Sequence, residues 1–147
     1  MYITAVAMIF IAFNACETAE DISNSMDHET PSCIVFGDSL WSPPGETVEI
    51  AAKISDNSGL GKLEFSYGEW MIRESVSFAE LNFPKSYIFR TTFVIPANAQ
   101  REWQEEVIEK TGSRKVITQR YHKLLLEITD INMNVLKVPV HVRVYPR

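Results

Sequence analysis

The sequence predicts an all-β domain, because three observations agree. Several segments alternate apolar and polar side chains with a period of two, which is typical of half-buried strands. Clusters of Asp, Asn, Ser, Gly and Pro separate these segments, as turns do. The chain has 147 residues, of which 46% are hydrophobic, and this length favours a single domain with one apolar core.

Two strands are predicted on either side of a turn at residues 56–59, whose sequence is Asp-Asn-Ser-Gly. One face of the first strand is entirely apolar and consists of Val48, Ile50, Ala52 and Ile54. The apolar face of the second strand consists of Leu63, Phe65 and Tyr67. Because a short turn joins them, we expect these two strands to form a hairpin.

A third strand is predicted from Ser86 to Ile95, where Pro96 ends the alternation because proline cannot donate to a sheet ladder. Two further strands flank residues 130–134 and form a C-terminal hairpin. With residues 33–36 and two less regular segments between Trp70 and Phe83, about seven strands result. This number of short strands predicts an immunoglobulin-like antiparallel β-sandwich. We expect nine side chains to point into its core: Ile50, Ile54, Phe65, Phe89, Phe93, Leu126, Ile128, Val140 and Val142.

One segment, residues 98–110, departs from the strand pattern. It is rich in Glu, Gln and Arg, and its apolar residues Ala99, Trp103 and Val107 are spaced by four. Asn98 is a suitable N-cap, and Gly112 suits the position after a helix end. The segment therefore predicts one short helix, inserted before the C-terminal hairpin.

The N-terminal region predicts export. Residues 1–15 carry no charge and are mostly apolar, and this run is too short to cross a hydrocarbon layer of about 30 Å as a helix. The sequence Phe-Asn-Ala-Cys at residues 13–16 resembles the bacterial lipoprotein box, which predicts a lipoprotein signal peptide and acylation of Cys16. An ordinary signal peptide, cleaved near Ala15 or Ala19, is the alternative.

Residues 16–30 are predicted to be an acidic flexible tether, and residues 31–147 the folded domain. Residues 17–29 contain five acidic residues and no Lys or Arg, and these acids account for the whole net charge of −5. An acidic stretch directly after an acylated cysteine resembles the signal that sends lipoproteins to the cell surface in Bacteroides-like bacteria. We therefore expect an outer-membrane protein held by its lipid. The acidic stretch is either a signal for export to the cell surface or a plain solvated linker.

Four phrases of the folded region resemble a known family. They are the segments 45–50, 54–60, 93–96 and 124–130, with the sequences GETVEI, ISDNSGL, FVIP and LLLEITD. They are similar to those of Ig-like lipoproteins of Bacteroides-type bacteria, and the resemblance covers most of residues 31–145. It implies an Ig-like fold and a place in the cell envelope, whereas it names no ligand.

Two turns contain oxygen-bearing side chains suited to calcium. Asp130, Asn132 and Asn134 follow the spacing D-x-N-x-N, and Asp56 and Asn57 begin an earlier turn. If both turns lie at one end of the sandwich, Asp56, Asn57, Asp130 and Asn132 form a candidate calcium site. The alternative is that Asp and Asn are present because they tolerate the backbone angles of tight turns.

Tryptophans provide the candidate ligand-binding residues. Trp41 lies in a predicted loop and Trp70 at a predicted strand end, so both are candidates for exposed platforms on which sugar rings stack. Packing at the rim of the sandwich is the alternative for both, and Trp103 is expected to be a core residue. His122 lies on the same face of its predicted strand as the core residues Leu124 and Leu126, which is typical of a hydrogen-bonded histidine at a core rim.

The sequence favours binding over catalysis. It contains no nucleophile elbow, HExxH motif, P-loop or dinucleotide fingerprint, so we predict no catalytic residues. The excess of acidic over basic residues disfavours a nucleic-acid partner. We expect a non-catalytic surface module that binds a glycan or an envelope protein and needs no cofactor apart from the calcium just considered. The alternative is a structural accessory subunit of an outer-membrane complex.

Overall fold

The structure, a computed structural model, describes residues 27–37 and 39–145. The predicted signal peptide, the acylation site Cys16 and most of the predicted tether lie outside these residues. The described part is all-β, as predicted. Its ten strands are β1 (Ser32–Phe36), β2 (Ser39–Ser42), β3 (Thr47–Ser55), β4 (Leu60–Tyr67), β5 (Ile72–Ser77), β6 (Ser86–Val94), β7 (Trp103–Ile108), β8 (Arg114–Gln119), β9 (His122–Asp130) and β10 (Val135–Val144). Two single-turn 3₁₀ helices, Gly68–Trp70 and Ala79–Leu81, flank β5.

The strands form two main sheets and one separate ribbon. One sheet has the order β1-β3-β6, the other has the order β2-β10-β9-β4-β5, and β7 and β8 form the ribbon. The pairs are antiparallel except that β2 runs parallel to β10. The predicted hairpin of β3 with β4 is wrong, since these strands belong to different sheets. Strands β1 and β6 occupy both edges of β3, so the turn at residues 56–59 crosses from one sheet to the other.

The core lies between the two main sheets. Phe65 on β4 contacts Phe89 and Phe93 on β6, with ring centroids 6.0 and 6.1 Å apart. All nine side chains predicted to point inward are buried, because the period-two pattern assigns them to the inner faces. Among the described residues, no helix is long and apolar enough to cross a membrane.

The predicted helix over residues 98–110 is wrong, because this segment contains strand β7. A spacing of four residues fits one helical turn, but it also fits two strand repeats, so Trp103 and Val107 share a face in either structure. Pairing with β8 decides the outcome: Trp103 to Ile108 pair antiparallel with Arg114 to Gln119 along the whole of both strands. Gly112 has a φ of +83°, but it provides this angle to the β7–β8 turn and not to a helix end.

Candidate functional site

Three connections meet at one end of the sandwich. They are the β3–β4 turn (residues 56–59), the β9–β10 turn (residues 131–134) and the segment before β6 (residues 82–85). The N–H of Ile131 donates to the carbonyl of Gly59 at 3.0 Å, and the N–H of Asp56 donates to the carbonyl of Lys85 at 3.0 Å. Gly59 has a φ of +136°, and a Cβ there would lie 2.8 Å from the Phe83 carbonyl oxygen. Only glycine allows the connections to approach this closely.

Three aspartates come together at this end. Asp56 and Asp130 are 8% and 1% exposed, and Asp27, from the segment before β1, joins them. One carboxylate oxygen from each residue lies within 4.8 Å of the others. We call Asp27, Asp56 and Asp130 the aspartate cluster.

Backbone N–H groups of its own turn orient the Asp56 carboxylate. Oδ1 accepts hydrogen bonds from the N–H groups of Ser58 and Gly59 at 2.9 and 2.8 Å. Oδ2 is buried, and none of the described residues donates to it. A buried carboxylate oxygen without a donor costs free energy, so Asp56 is suited to a ligand that accepts its lone pairs.

The β9–β10 turn holds Asp130 in a similar way. Its Oδ1 accepts from the N–H groups of Asn132 and Asn134, both at 2.8 Å. Asn134 Nδ2 donates to Asp130 Oδ2 at 2.7 Å and to the backbone carbonyl of Asp27 at 3.0 Å. Asn134 therefore connects the turn to the N-terminal segment.

Asp27 is positioned by both sides of the cluster. Its Oδ1 accepts from the N–H of Glu29 at 2.9 Å, and its Oδ2 accepts from the hydroxyl of Ser58. These hydrogen bonds, the Ser58 bond first, hold the pKa of the Asp27 carboxyl below its usual value. Asn57 Nδ2 adds a bond to Glu29 at 2.9 Å. The last residues assigned to the tether by sequence thus contact the folded domain.

Two of the four residues predicted to bind calcium, Asp56 and Asp130, lie in the cluster. Asn57 donates its amide nitrogen to Glu29, and the backbone N–H of Asn132 donates to Asp130. Asp27, which was not among the predicted residues, is the third member of the cluster. The pairing of β1 with β3 explains why Asp27 lies near Asp56. Because Ser32 lies opposite Ser55 in an antiparallel pair, the residues before β1 run beside the turn after β3.

The electrostatics of the cluster favour a cation. Three carboxylates share a small volume, and two of them are buried. None of the ion pairs found within residues 27–37 and 39–145 involves these three aspartates. Carboxylate oxygens without nitrogen or sulfur ligands are the donor set of hard cations such as calcium.

A second surface surrounds Trp41, at the far end of β10. The Trp41 side chain is 57% exposed, and the Arg143 guanidinium lies 4.7 Å from its ring centroid and 5.7 Å from that of Tyr121. A groove of about 610 Å³ beside Trp41 includes Arg101, Arg143 and Tyr145. We call this the Trp41 groove.

The charge of the Trp41 groove is positive. Glu102 also lines it, but Glu102 pairs with Arg120 at 3.1 Å. Neither Arg101 nor Arg143 pairs with an acidic residue within the described part of the chain. The groove therefore combines an exposed indole with two guanidinium groups available to an anionic ligand.

Trp70, the other predicted binding residue, packs against the core instead. Its ring lies 4.4 Å from that of His122 and 6.0 Å from that of Phe93, measured between centroids. Trp103 contacts the same histidine at 4.8 Å. Trp70 is thus a rim residue of the sandwich, which was the alternative stated for it.

His122 is buried and both of its ring nitrogens are hydrogen-bonded, as predicted for a core-rim histidine. Nε2–H donates to the Gln100 carbonyl at 2.8 Å, so Nδ1 accepts from the Tyr67 hydroxyl at 2.8 Å. Burial, with Glu69 as the second cause, raises the pKa of the Tyr67 phenol. This arrangement fastens the segment before β7 to the sandwich and leaves no ring nitrogen for a metal.

Comparisons of the chain with models of protein families, with curated proteins and with solved structures found no match in any of the three.

Proposed function

We propose that this chain is a non-catalytic protein of the bacterial cell envelope that binds an anionic glycan in the Trp41 groove. The exposed Trp41 beside Arg101 and Arg143, neither of which forms an ion pair within the described part of the chain, is the observation on which the proposal rests. An indole face packs against the C–H face of a sugar ring, and guanidinium groups bind carboxylate or sulfate substituents through paired N–H donors. The proposed ligand class is therefore an acidic polysaccharide.

The proposed fold is immunoglobulin-like. The orders β1-β3-β6 and β2-β10-β9-β4-β5 support it, because the neighbours in each sheet follow the arrangement of Ig domains, with a first strand divided between both sheets. The β7–β8 ribbon is then an insertion before the last two strands. Ig-like domains have many functions, so the fold supports a binding module without specifying its ligand.

Calorimetric titration with an acidic oligosaccharide and its neutral analogue tests the glycan proposal. We expect binding of the acidic form only, with affinity that falls as salt concentration rises. Trp41→Ala and Arg143→Gln should each weaken binding about tenfold or more, whereas Arg73→Gln, an exposed arginine on β5, should not change it. Equal binding by Trp41→Ala and the unmodified chain would contradict the proposal, as would failure of the acidic glycans on an array to bind.

The proposed location is the outer membrane, with a lipid on Cys16. The box at residues 13–16 and the acids that follow it support this location. Globomycin treatment and Cys16→Ser should each block maturation, so that the uncleaved precursor accumulates. Unchanged maturation under both treatments would show that an ordinary signal peptide directs export.

One observation favours a second function, that of an accessory subunit in an envelope complex. Ile108 and Val116 on the β7–β8 ribbon are exposed, and such side chains are common where proteins associate. Affinity purification from envelopes with Ile108→Ser as the comparison tests this function. A partner lost in that variant, together with silence on the glycan array, would place the accessory function first.

A further inference from the structure

We propose that the aspartate cluster binds calcium and that the ion fastens the N-terminal segment to the end of the sandwich. This inference does not depend on glycan binding. It rests on two separate observations: three carboxylates whose oxygens lie within 4.8 Å of one another, and the buried Asp56 Oδ2, which has no donor among the described residues.

The geometry suits calcium. Ligands on opposite sides of one calcium ion lie at most about 4.6–5.2 Å apart, which is twice the usual Ca–O distance of about 2.3–2.6 Å. The 4.8 Å limit within the cluster agrees with this span. Calcium takes six to eight oxygens, so the three carboxylates provide part of the shell and water provides the rest.

The hydrogen bonds around the cluster leave lone pairs for an ion. Asp56 Oδ1 and Asp130 Oδ1 each receive two backbone N–H groups, and these bonds fix the carboxylates without using Asp56 Oδ2. Both turns are thereby oriented before any ion binds. Such preorganisation reduces the free energy needed to order the site.

Asp27 gives the site a consequence for the whole chain. The residue precedes β1, so an ion held by Asp27, Asp56 and Asp130 joins the N-terminal segment to two turns of the domain. With the lipid on Cys16, the ion would hold the chain at a point 11 residues beyond the lipid, which is at most about 40 Å of extended chain. Calcium would then limit how far the domain extends from the membrane.

Titration of the full chain with calcium chloride tests the site. We expect a Kd of about 10⁻⁴–10⁻³ M, as in extracellular calcium modules. At 10 mM calcium the melting temperature should rise by at least about 4 °C relative to EGTA. No heat of binding and no change in melting temperature at 10 mM would overturn the proposal. A rise with magnesium as large as that with calcium would overturn calcium as the occupant.

Asp27→Asn distinguishes an ion site from a structural cluster. In EGTA this variant should melt slightly below the unmodified chain, because it weakens the hydrogen bonds that the Asp27 carboxylate accepts from Glu29 and Ser58. In calcium it should melt further below the unmodified chain and bind calcium about tenfold more weakly, because it also removes a ligand of the ion. Glu29→Gln is the matched control, since Glu29 lies in the same segment but outside the cluster. An equal loss of stability for Asp27→Asn in both solutions would refute the ion site.

Amide hydrogen exchange tests the fastening of the segment. Calcium should slow exchange over residues 27–31 in the unmodified chain and leave it unchanged in Asp27→Asn. Calcium binding without this protection would show a site confined to the two turns and would overturn the role of Asp27. Glycan binding in the Trp41 groove is measured separately, so failure of either proposal is recognised without the other.

Discussion

Replacement of His122 by leucine is expected to lower the free energy of unfolding by about 1–3 kcal/mol. His122 is 1% exposed, and its two ring nitrogens make hydrogen bonds of 2.8 Å with Tyr67 and with the Gln100 carbonyl. A hydrogen bond within a protein contributes about 0.5–1.5 kcal/mol net, and two of them give the stated range. Leucine keeps an apolar side chain against Trp70, so the loss reports mainly on the hydrogen bonds.

A double-mutant cycle with Tyr67→Phe isolates one of the two bonds. Tyr67→Phe alone should cost about 0.5–1.5 kcal/mol, because only the hydroxyl is removed. The double variant should lose less than the sum of the single losses, by a coupling of about 0.5–1.5 kcal/mol. Urea unfolding followed by tryptophan fluorescence measures each value, with unchanged m values as the condition for comparison.

His141→Leu is the control, since His141 lies on the outer side of β10 and no nitrogen of its ring has a hydrogen bond within the described residues. Its free energy of unfolding should change by less than about 0.5 kcal/mol. A coupling of zero between Tyr67 and His122 would refute the reasoning. It would mean that water satisfies both groups as well as they satisfy each other.

Three further outcomes follow from the packing and the pKa shifts. Leu126→Ala should cost about 2–5 kcal/mol in urea unfolding, because Leu126 is fully buried at the centre of β9. Gly59→Ala should cost at least about 1 kcal/mol, owing to its positive φ and the contact of the new Cβ with Phe83. Gly68→Ala is the control and should cost less, because a Cβ there would have no described atom within 4 Å apart from its neighbours along the chain. Since the folded-state pKa of Tyr67 is raised, stability should fall as pH rises above about 10, the unfolded value. Tyr67→Phe should lack that part of the alkaline loss.

The strands and the core could be predicted because they depend on local pattern. On β3 and β9 the apolar residues occur at every second position, so their faces follow from the geometry of a single strand. The partner of each strand does not follow from that pattern. Thr47–Ser55 alternates in the same way whether it pairs with β4 or with β1 and β6, and only the packing of the two sheets decides.

The segment around Trp103 shows where the pattern itself is ambiguous. Apolar residues four apart satisfy both periodicities, and the charged residues between them are common on helix surfaces and on exposed ribbons. The decisive contacts are the backbone pairs with β8, from Trp103 opposite Gln119 to Ile108 opposite Arg114, and these depend on a turn at Gly112 that brings later residues alongside. A longer-range pairing therefore overrides the local preference.

The two candidate sites occupy opposite ends of one strand. Asn134, beside the aspartate cluster, precedes β10, and Arg143 lies near its end, so about 30 Å of extended chain separates them at about 3.3 Å per residue. Groups more than about 10 Å apart with no shared partner act independently in most proteins. The aspartate cluster connects to the N-terminal segment through Asp27, whereas the Trp41 groove involves β2 and the C-terminal end of β10. Under the two proposals, calcium binding and glycan binding are therefore independent: the groove would present the same surface to a glycan whether or not the ion is bound.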